Sequence, residues 1–297
     1  MIDIKESLVA AMDAITLRCE LRNPSGEFLA TGYYVLDDMI GLGIRPGNLV
    51  VIGGRPSMGK SALALNIAEH AACELKRTVL VIAPGSDDLS INERLLSGRA
   101  LVDGHKLKTG RGFGSQDMVQ LGSAYTELYH ARIFTDCSSR PTVDAIGDAA
   151  SLIIKGGQEL LDLIVIDPLD LVEPDNRVSV RHEQVGQVIR DLKRLAHDLS
   201  VVLVVCSEIN KPDRDRFDHR PVMADLRESS SIEEQADLVL LLHRPDYYHA
   251  DDQPGLAELI IAKNRPGATG TVKLAWLNKF SRFENLALVA DPLGGSF

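Results

Sequence analysis

The stretch "NLVVIGGRPSMGKSALALNIAEHAA", residues 48–72, decides the fold of this chain. Its apolar start is typical of a buried strand, and its end, from Ala62 onward, has the pattern of a helix. Between them, Gly54–Ser61 satisfies G-x-x-x-x-G-K-[ST] in the strand–loop–helix context that this pattern requires. Backbone N–H groups of such a loop surround phosphate groups, and the helix N-terminus adds a favourable dipole. A chance glycine-rich turn seldom has both flanks, so the sequence predicts a phosphate-binding loop.

The chemistry of this loop gives its polar positions separate roles. Lys60 is placed to reach the β and γ phosphates of a nucleotide, and the Ser61 hydroxyl to ligate Mg²⁺. We therefore predict that the chain binds ATP with Mg²⁺. The predicted nucleotide-binding residues are Gly54, Ser57, Met58, Gly59, Lys60, Ser61 and Ala62.

A second acid near the metal is expected at the end of a neighbouring apolar strand. The run "DLIVID" ends in Asp167, whose carboxylate would emerge at the carboxyl edge of the sheet, where open α/β folds bind ligands. The alternative is an aspartate that only begins the turn at Pro168. With a phosphate-binding loop in the same chain, we favour Asp167 as a Mg²⁺ ligand.

Apolar runs bounded by turn residues alternate with helical patterns from about residue 48 onward. Such continuous runs suit strands that are covered on both faces, so they predict an α/β fold with a largely parallel sheet. The helical pattern between residues 185 and 199 indicates a βαβ crossover. The last two runs, "TVKLAW" and "RFENLALVA", predict a closing antiparallel hairpin. The earlier runs are "NLVVIGG", "TVLVIA", "ARIFT", "DLIVID", "VVLVVC", "DLVLLL" and "ELIIAK".

Bulk properties exclude several other classes of protein. A chain of 297 residues with 45% hydrophobic and 25% charged content can bury a full core. No apolar run approaches the ~18 to 20 residues of a membrane span, and "MIDIKES" is unlike a signal peptide, so we expect a cytoplasmic protein without membrane contact. The net charge of −10 argues against a broad basic surface, although a few basic loops could still hold a polynucleotide. The four cysteines are far apart, so we expect neither a disulfide framework nor a zinc site.

The spacing of apolar residues over 3–22 predicts a separate amphipathic helix, followed by the polar break "RNPSGE". We expect a linker helix and tether over residues 1–30 and one further domain over residues 31–297. The helix could pack on its own domain or reach a neighbouring subunit, and composition does not decide between the two.

Several stretches together resemble the C-terminal, RecA-like motor domain of the DnaB-type replicative DNA helicases. They are collinear from about residue 3 to residue 288, and "RPSMGK" followed by "DLRES.SIE..AD" is more specific than a phosphate-binding loop alone. The resemblance implies a RecA-like core and a helicase-like motor that couples ATP hydrolysis to movement on single-stranded DNA. It also implies a homo-oligomer, a hexameric ring, that works with a replicative helicase, a loader or a primase. On this resemblance, we expect the motor domain and linker helix without the family's separate N-terminal domain.

The resemblance assigns further residues. Lys60 and Asp167 match the catalytic phosphate and Walker B positions, and Lys263 and Arg265 in "AKNRPG" match a basic finger that reaches the neighbouring subunit's γ-phosphate. Residues 208–236 form a polar stretch that is too long for an ordinary connection. In the resembled family this region supplies DNA-binding loops, which implies DNA contacts at the positions of Arg227, Glu228 and Ser230.

Three departures from the family pattern bear on catalysis. The glutamate that polarises the attacking water is replaced by Gly85 in "VLVIAPGSDDLS". Glu208 stands in place of a glutamine that senses the γ-phosphate, and Asp170 in place of another glutamine. Loss of a water-orienting acid costs about 10²- to 10⁴-fold in rate. Either Glu208 or one of the two aspartates after Gly85, Asp87 and Asp88, could replace it.

Two classes of function therefore remain open. The first is a DNA-translocating ATPase that unwinds duplex DNA in replication. The second is a catalytically degenerate relative that binds nucleotide and assembles with, loads or inhibits an authentic helicase. Other RecA-like ATPases, in recombination or signalling, are a weaker third class.

Overall fold

The structure is a computed structural model. It describes residues 27–157, 160–174, 181–210, 218–226, 229–265 and 267–286, together with seven helical positions before residue 27. Side chains are described in these ranges except at residues 181–183 and 229.

Nine strands form one sheet within the described residues, in the order β3–β2–β4–β5–β1–β6–β7–β8–β9. Every apolar run that predicted a strand is a strand, and the run from β3 to β6 across the sheet is parallel. The strands are β1 (Leu49–Gly54), β2 (Val79–Ile82), β3 (Ile133–Asp136), β4 (Leu163–Ile166), β5 (Val202–Glu208), β6 (Leu238–His243), β7 (Leu256–Asn264), β8 (Gly270–Leu277) and β9 (Arg282–Asn285).

The antiparallel part of the sheet is larger than the sequence predicts. The expected hairpin of β8 and β9 is present, but β7 is also antiparallel to β6 and to β8. The link from β6 to β7 contains only a short 3-10 helix, Pro245–Tyr247, which cannot carry the chain back for a parallel pairing. The α/β class and the mostly parallel centre of the sheet are confirmed.

Helices cover both faces of the sheet. The predicted crossover helix between β4 and β5 is confirmed as α7 (Arg181–Asp198). A short helix, α8 (Ser229–Gln235), lies inside the stretch predicted as a long loop. The helices are α1 (Tyr34–Ile40), α2 (Lys60–Cys73), α3 (Asp88–Ala100), α4 (Gly104–Thr109), α5 (Ser115–Tyr129), α6 (Val143–Lys155), α7 (Arg181–Asp198) and α8 (Ser229–Gln235).

The core consists of two apolar layers, one on each face of the sheet. Alternate residues of β1 enter opposite layers: Val50 and Ile52 pack with α2, whereas Leu49 and Val51 pack with α6 and α7. Because each buried aliphatic side chain contributes roughly 1.5–3 kcal/mol, both layers hold β1 firmly at the centre of the sheet. This fixes the position of the loop that follows β1.

The described part of the chain contains no helix that is long and apolar enough to cross a membrane. Before residue 27, the described positions are helical, and the apolar side chains among them are exposed to solvent. They are Ile4, Leu8, Val9, Met12 and Ile15.

A buried carboxylate joins α2 to two other elements. The Glu69 side chain is only 3% exposed and forms ion pairs with Arg99 of α3 at 3.1 Å and Arg282 of β9 at 2.9 Å. Burying a carboxylate is costly unless it is paired, so the pairing with these arginines is what allows Glu69 to be buried here. The network ties the helix after the phosphate-binding loop to the antiparallel end of the sheet.

We expect Glu69→Ala to lower the free energy of unfolding by about 2 kcal/mol, because it removes the charged hydrogen bonds that Glu69 forms with two partly buried arginines and leaves them only more exposed carboxylates as partners. Glu284→Ala is the matched control, since Glu284 also pairs with Arg282 but its side chain is 42% exposed; its effect should stay below about 1 kcal/mol. Urea unfolding midpoints at unchanged slope measure both changes. Equal effects of the two substitutions would contradict the role of Glu69.

Candidate nucleotide-binding site

Four neighbouring parallel strands, β2, β4, β5 and β1, end at one edge of the sheet. Gly54, Glu208 and Asp167 lie at or just after the ends of β1, β5 and β4, with Gly54 directly opposite Glu208 in the β1–β5 register. The predicted phosphate-binding loop, the predicted metal ligand and Glu208 are therefore brought together. The strand order places Glu208 between the other two.

The loop after β1 has the backbone that phosphate binding needs. Ser57 and Gly59 have positive φ values of 65° and 106°, and α2 begins at Lys60. Gly59 caps the helix without a side-chain hydrogen bond, which leaves N–H groups of the first turn for an anion. A Cβ atom on Gly59 would lie 2.8 Å from Cζ of Phe283, so both conformation and space require glycine here.

Aromatic and basic side chains from the antiparallel part of the sheet support this loop. The Trp276 and Phe283 rings are 4.4 Å apart, and Phe283 packs against Gly59. The guanidinium of Arg244 lies 5.0 Å from the centre of the Trp276 ring, and its Nη1 donates to the Ser57 carbonyl at 3.4 Å. These contacts support the conformation of the loop.

Lys60 is buried within the loop, and its ammonium donates to the Gly54 carbonyl at 2.8 Å and the Arg55 carbonyl at 3.1 Å. Burial lowers its pKa, while the nearby Glu208, Asp167 and Asp170 act in the opposite direction. These acids keep a cation favourable at this point. The same cation is available to phosphate oxygens that enter the loop.

Asp167 has a buried neighbour that the sequence reasoning missed. Cys206 of β5 donates a thiol hydrogen bond to the Asp167 carboxylate, and burial raises the pKa of this thiol well above its usual range. The thiol therefore stays protonated and continues to donate. Asp167 and the Ser61 hydroxyl supply oxygen donors of the kind that Mg²⁺ prefers, so the residues present fit this metal.

A cavity of about 580 Å³ adjoins the loop on the side of α3, α4 and the β8–β9 connection. Its wall includes Ser61 and Trp276 together with three basic side chains, Arg94, Lys108 and Lys279. A space of this size can take a small organic ligand. These side chains come from distant parts of the sequence, and no spacing relative to the loop motif could have identified them.

Gly85 lies in a tight turn beyond β2. The Ser86 N–H donates to the Ala83 carbonyl at 3.1 Å, Pro84 occupies the second position and Gly85 has a φ of 76°. This is the pattern of a type II turn, in which glycine is preferred at the third position. A Cβ atom on Gly85 would lie 3.3 Å from Leu171.

The two aspartates that follow Gly85 have other partners. The Asp87 carboxylate caps α3 by accepting from the Ser90 N–H at 2.8 Å. The Asp88 carboxylate accepts from the Thr135 hydroxyl at 2.8 Å and the Cys137 thiol at 3.4 Å. In this conformation both carboxylates are held by α3 and β3, and neither is directed at the phosphate-binding loop by these contacts. Glu208 is the carboxylate near Lys60 among the three predicted substitutes.

Lys263 and Arg265 lie at the opposite edge of the sheet, because β7 runs antiparallel to β6. The Arg265 guanidinium pairs at 3.1 Å with the buried Asp237, which also binds Lys193 at 2.7 Å and the Leu49 N–H at 2.8 Å. Since Leu49 begins the six residues of β1, the two edges are about 17 Å apart at ~3.3 Å per residue. The predicted basic finger therefore lies away from the loop of its own chain.

Of the predicted DNA-binding residues, Arg227 and Glu228 lie outside the described residues. Ser230 is exposed in the first turn of α8. An isolated bridge between Ile209 and Leu226 closes the base of the long stretch that precedes them.

The chain matches the model of the DnaB-like helicase C terminal domain over residues 28–285. It is 35% identical over 267 residues to Replicative DNA helicase DnaB of Pasteurella multocida, covering 89% of this chain and 56% of that protein. It is 35% identical over 289 residues to Replicative DNA helicase DnaB of Geobacillus stearothermophilus, covering 96% and 62%. The chain thus spans about 56 to 62% of the length of these curated relatives.

Solved structures agree with these matches. A solved ATPase domain superposes with a TM-score of 0.86 at 31% identity, covering 96% of this chain and 99% of that one. A structure described as a DnaB-like replicative helicase and its interactions with primase gives a TM-score of 0.85 at 30% identity, covering 96% and 67%. With its RecA-like sheet, its phosphate-binding loop and a family match across most of its length, this chain belongs to the DnaB-like helicase C-terminal domain family.

Proposed function

We propose that this chain binds Mg²⁺-ATP at the β1–α2 loop and uses its hydrolysis to move along single-stranded DNA and unwind duplex DNA during replication. The observation that carries the proposal is the meeting of Lys60, Asp167 and Glu208 at one sheet edge, beside a cavity of about 580 Å³. Membership of a helicase family supports the same conclusion. The proposal keeps the cytoplasmic location that the sequence predicts.

Each residue at this edge has a chemical task. Lys60 neutralises phosphate charge, and the N–H groups at the start of α2 bind phosphate oxygens. Ser61 and Asp167 would hold Mg²⁺, which when bound adds positive charge beside the phosphates. Glu208 would orient the attacking water, but less efficiently than the acid that the family places at position 85. A carboxylate next to phosphate is repelled, and the nearby cation of Lys60 offsets part of this repulsion.

A ring of subunits completes the proposed site. Arg265 pairs with Asp237 beside the start of β1, and its own loop follows the other end of that strand, about 17 Å away at ~3.3 Å per residue. It could therefore serve a γ-phosphate only in a neighbouring subunit. The exposed apolar positions at the N-terminus, from Ile4 to Ile15, support a linker helix over residues 1–30 that docks on such a neighbour. Residues 31–297 would then form the ATPase domain of a homo-oligomer, a hexamer by resemblance.

We expect Arg265→Ala to lower DNA-stimulated hydrolysis by about 10³-fold or more, as loss of a basic finger does in related chemistry. The nucleotide dissociation constant should change by less than about threefold, since Arg265 does not contact its own loop. Arg194→Ala is the control, because Arg194 is an arginine of α7 with a 72% exposed side chain. Phosphate release and nucleotide titration together make the test, and equal losses in both would mean that Arg265 is not a finger acting in trans.

The proposed DNA contacts are Arg227, Glu228 and Ser230, which would track the strand backbone without reading sequence. Proposed partners are further copies of this chain and a replicative helicase, loader or primase. The solved structure that concerns interactions with primase supports the last of these.

One observation favours a second function. The family's catalytic acid is replaced by Gly85 in a turn, and Asp87 and Asp88 are engaged elsewhere. A chain of this kind could bind nucleotide and assemble with, load or inhibit an authentic helicase while hydrolysing ATP slowly.

An ATPase assay with and without single-stranded DNA separates the two functions. Strong DNA-stimulated turnover that Lys60→Ala abolishes would support the motor and reject the degenerate relative. Tight Mg²⁺-ATP binding with negligible turnover would support the second function. If calorimetry with Mg²⁺-ATP gave no binding heat, both would be rejected.

A further inference from the structure

Residues 218–226 form the part of the long stretch that leads into the predicted DNA-binding residue Arg227, and we call this segment the 218–226 leg. Its base is fixed to the sheet: the Asn210 N–H donates to the Asp225 carbonyl at 2.7 Å. Leu226 packs so closely on β1 that a Cβ atom on Gly53 would lie 2.6 Å from its Cδ2. With the base fixed, a change in the position of the leg has to occur in its outer part, around His219.

The outer part of the leg rests on one aromatic side chain. The His219 imidazole stacks on the Tyr248 ring with centroids 4.3 Å apart and an interplanar angle of 15°. The next residue, Arg220, pairs with the buried Glu258 at 3.2 Å. The leg therefore contacts the β6–β7 connection and β7. A displacement of the leg would directly change the stacking contact with Tyr248.

Tyr248 also contacts the phosphate-binding loop. Its hydroxyl accepts from Nη1 of Arg55 at 3.4 Å, and the Arg55 guanidinium lies 5.7 Å from the centre of the Tyr248 ring. Arg55 follows Gly54 in the loop, and its carbonyl accepts from the Lys60 ammonium at 3.1 Å. A continuous series of contacts thus runs from His219 through Tyr248 and Arg55 to Lys60.

We propose that Tyr248 is a positioning residue that couples nucleotide binding to single-stranded DNA binding, by transmitting the position of the 218–226 leg through Arg55 to the loop that holds Lys60. This inference rests on the proposed function, because it needs nucleotide at the loop and DNA beside the leg. When DNA holds the leg in the stacked position, Arg55 keeps its place and the loop is ordered for phosphate. The ligand that binds first bears the free-energy cost of this arrangement, so the second ligand binds more tightly. This is positive cooperativity.

The test measures coupling without hydrolysis, so it is independent of Gly85. The dissociation constant of a fluorescent, non-hydrolysable ATP analogue with Mg²⁺ is determined with and without saturating oligo-dT. For the wild-type oligomer we expect oligo-dT to tighten nucleotide binding by about fivefold or more, and nucleotide to tighten oligo-dT binding by the same factor, as linkage requires.

We expect Tyr248→Ala to abolish the coupling, so that each ligand changes the dissociation constant of the other by less than about twofold. The dissociation constant of each ligand alone should stay within about threefold of wild type. His219→Ala should give the same loss, and the double variant no further loss, because the two residues act in one series. His219→Phe restores a stacked ring and should recover the coupling. Tyr247→Ala is the matched control: the Arg55 guanidinium lies 5.8 Å from the centre of the Tyr247 ring, and this ring packs edge-on against Tyr248 with centroids 5.2 Å apart. The described contacts give Tyr247 no stack with His219, so most of the coupling should persist.

The outcomes are distinguishable. If Tyr248→Ala binds both ligands and keeps the wild-type coupling between them, the inference is wrong while the proposed function stands. If His219→Ala keeps the coupling that Tyr248→Ala loses, the route through His219 is wrong. If wild-type protein binds no nucleotide or no oligo-dT, the proposed function fails and the inference with it. A Tyr248→Ala chain that does not fold is replaced by the His219→Ala and His219→Phe pair, which tests the same stacking contact from its other side.

Discussion

Lys60→Ala should weaken the binding of Mg²⁺-ATP by about 100-fold or more, since truncating one partner of a buried charge pair costs about 2–5 kcal/mol. In the structure the ammonium is buried among Asp167, Asp170 and Glu208. Removing it deletes a contact to the phosphates. It also leaves three acidic side chains without the cation that offsets them, at the place where a further anion has to bind.

Isothermal titration calorimetry with a non-hydrolysable analogue measures the loss. Lys273→Ala removes the same formal charge from an exposed position on β8 and should change the affinity by less than about threefold. Thermal unfolding of the ligand-free variant separates lost binding from lost fold. If Lys60→Ala and wild type bound Mg²⁺-ATP with comparable affinity, the loop would not be the nucleotide-binding site.

Gly85→Glu should raise the hydrolysis rate of the assembled protein by about 100-fold, because a water-orienting acid contributes about 10²- to 10⁴-fold. Residue 85 follows β2, which pairs with β4, so the new carboxylate would lie near Asp167 at the same sheet edge. The substitution also has a cost. A φ of 76° is strained for any side chain by about 1–2 kcal/mol, and Leu171 lies 3.3 Å from the added Cβ.

Gly85→Gln is the matched control, since it has the same shape and the same strain but no carboxylate. Steady-state phosphate release at saturating Mg²⁺-ATP and single-stranded DNA compares the three chains. A rise with glutamate and none with glutamine supports the loss of the catalytic acid at this position. If wild type already turns over quickly and neither change matters, another group, such as Glu208, orients the water.

Short-range sequence patterns predicted the frame of the molecule correctly. The strands β1 to β9, the α7 crossover and the loop before Lys60 depend on periodicity and turn residues within about twenty positions, which the sequence displays directly. The antiparallel pairing of β7 was not predicted, because the direction of a strand depends on its connection and on which strand it meets. The chemistry of the motif likewise predicted that Asp167 would lie near Lys60, since both follow parallel strands.

Contacts between residues far apart in the chain could not be predicted from the sequence. The engagement of Asp88 by Thr135, the pairing of Arg265 with Asp237 and the stack of His219 on Tyr248 each depend on strand order. Strand order is decided by how whole faces of helices and strands pack, and no local pattern records it.

By itself, therefore, the sequence determined that a phosphate-binding loop follows a buried strand and that Asp167 ends another, because these are properties of adjacent residues. Only the tertiary structure decided which side chains surround Lys60, that the predicted basic finger lies at the far edge from its own loop, and that Tyr248 joins the 218–226 leg to Arg55. The physical reason is that these arrangements arise from packing one sheet between two apolar layers. This packing brings together residues that are far apart in the chain, such as Arg55 and Tyr248, which are separated by 193 positions.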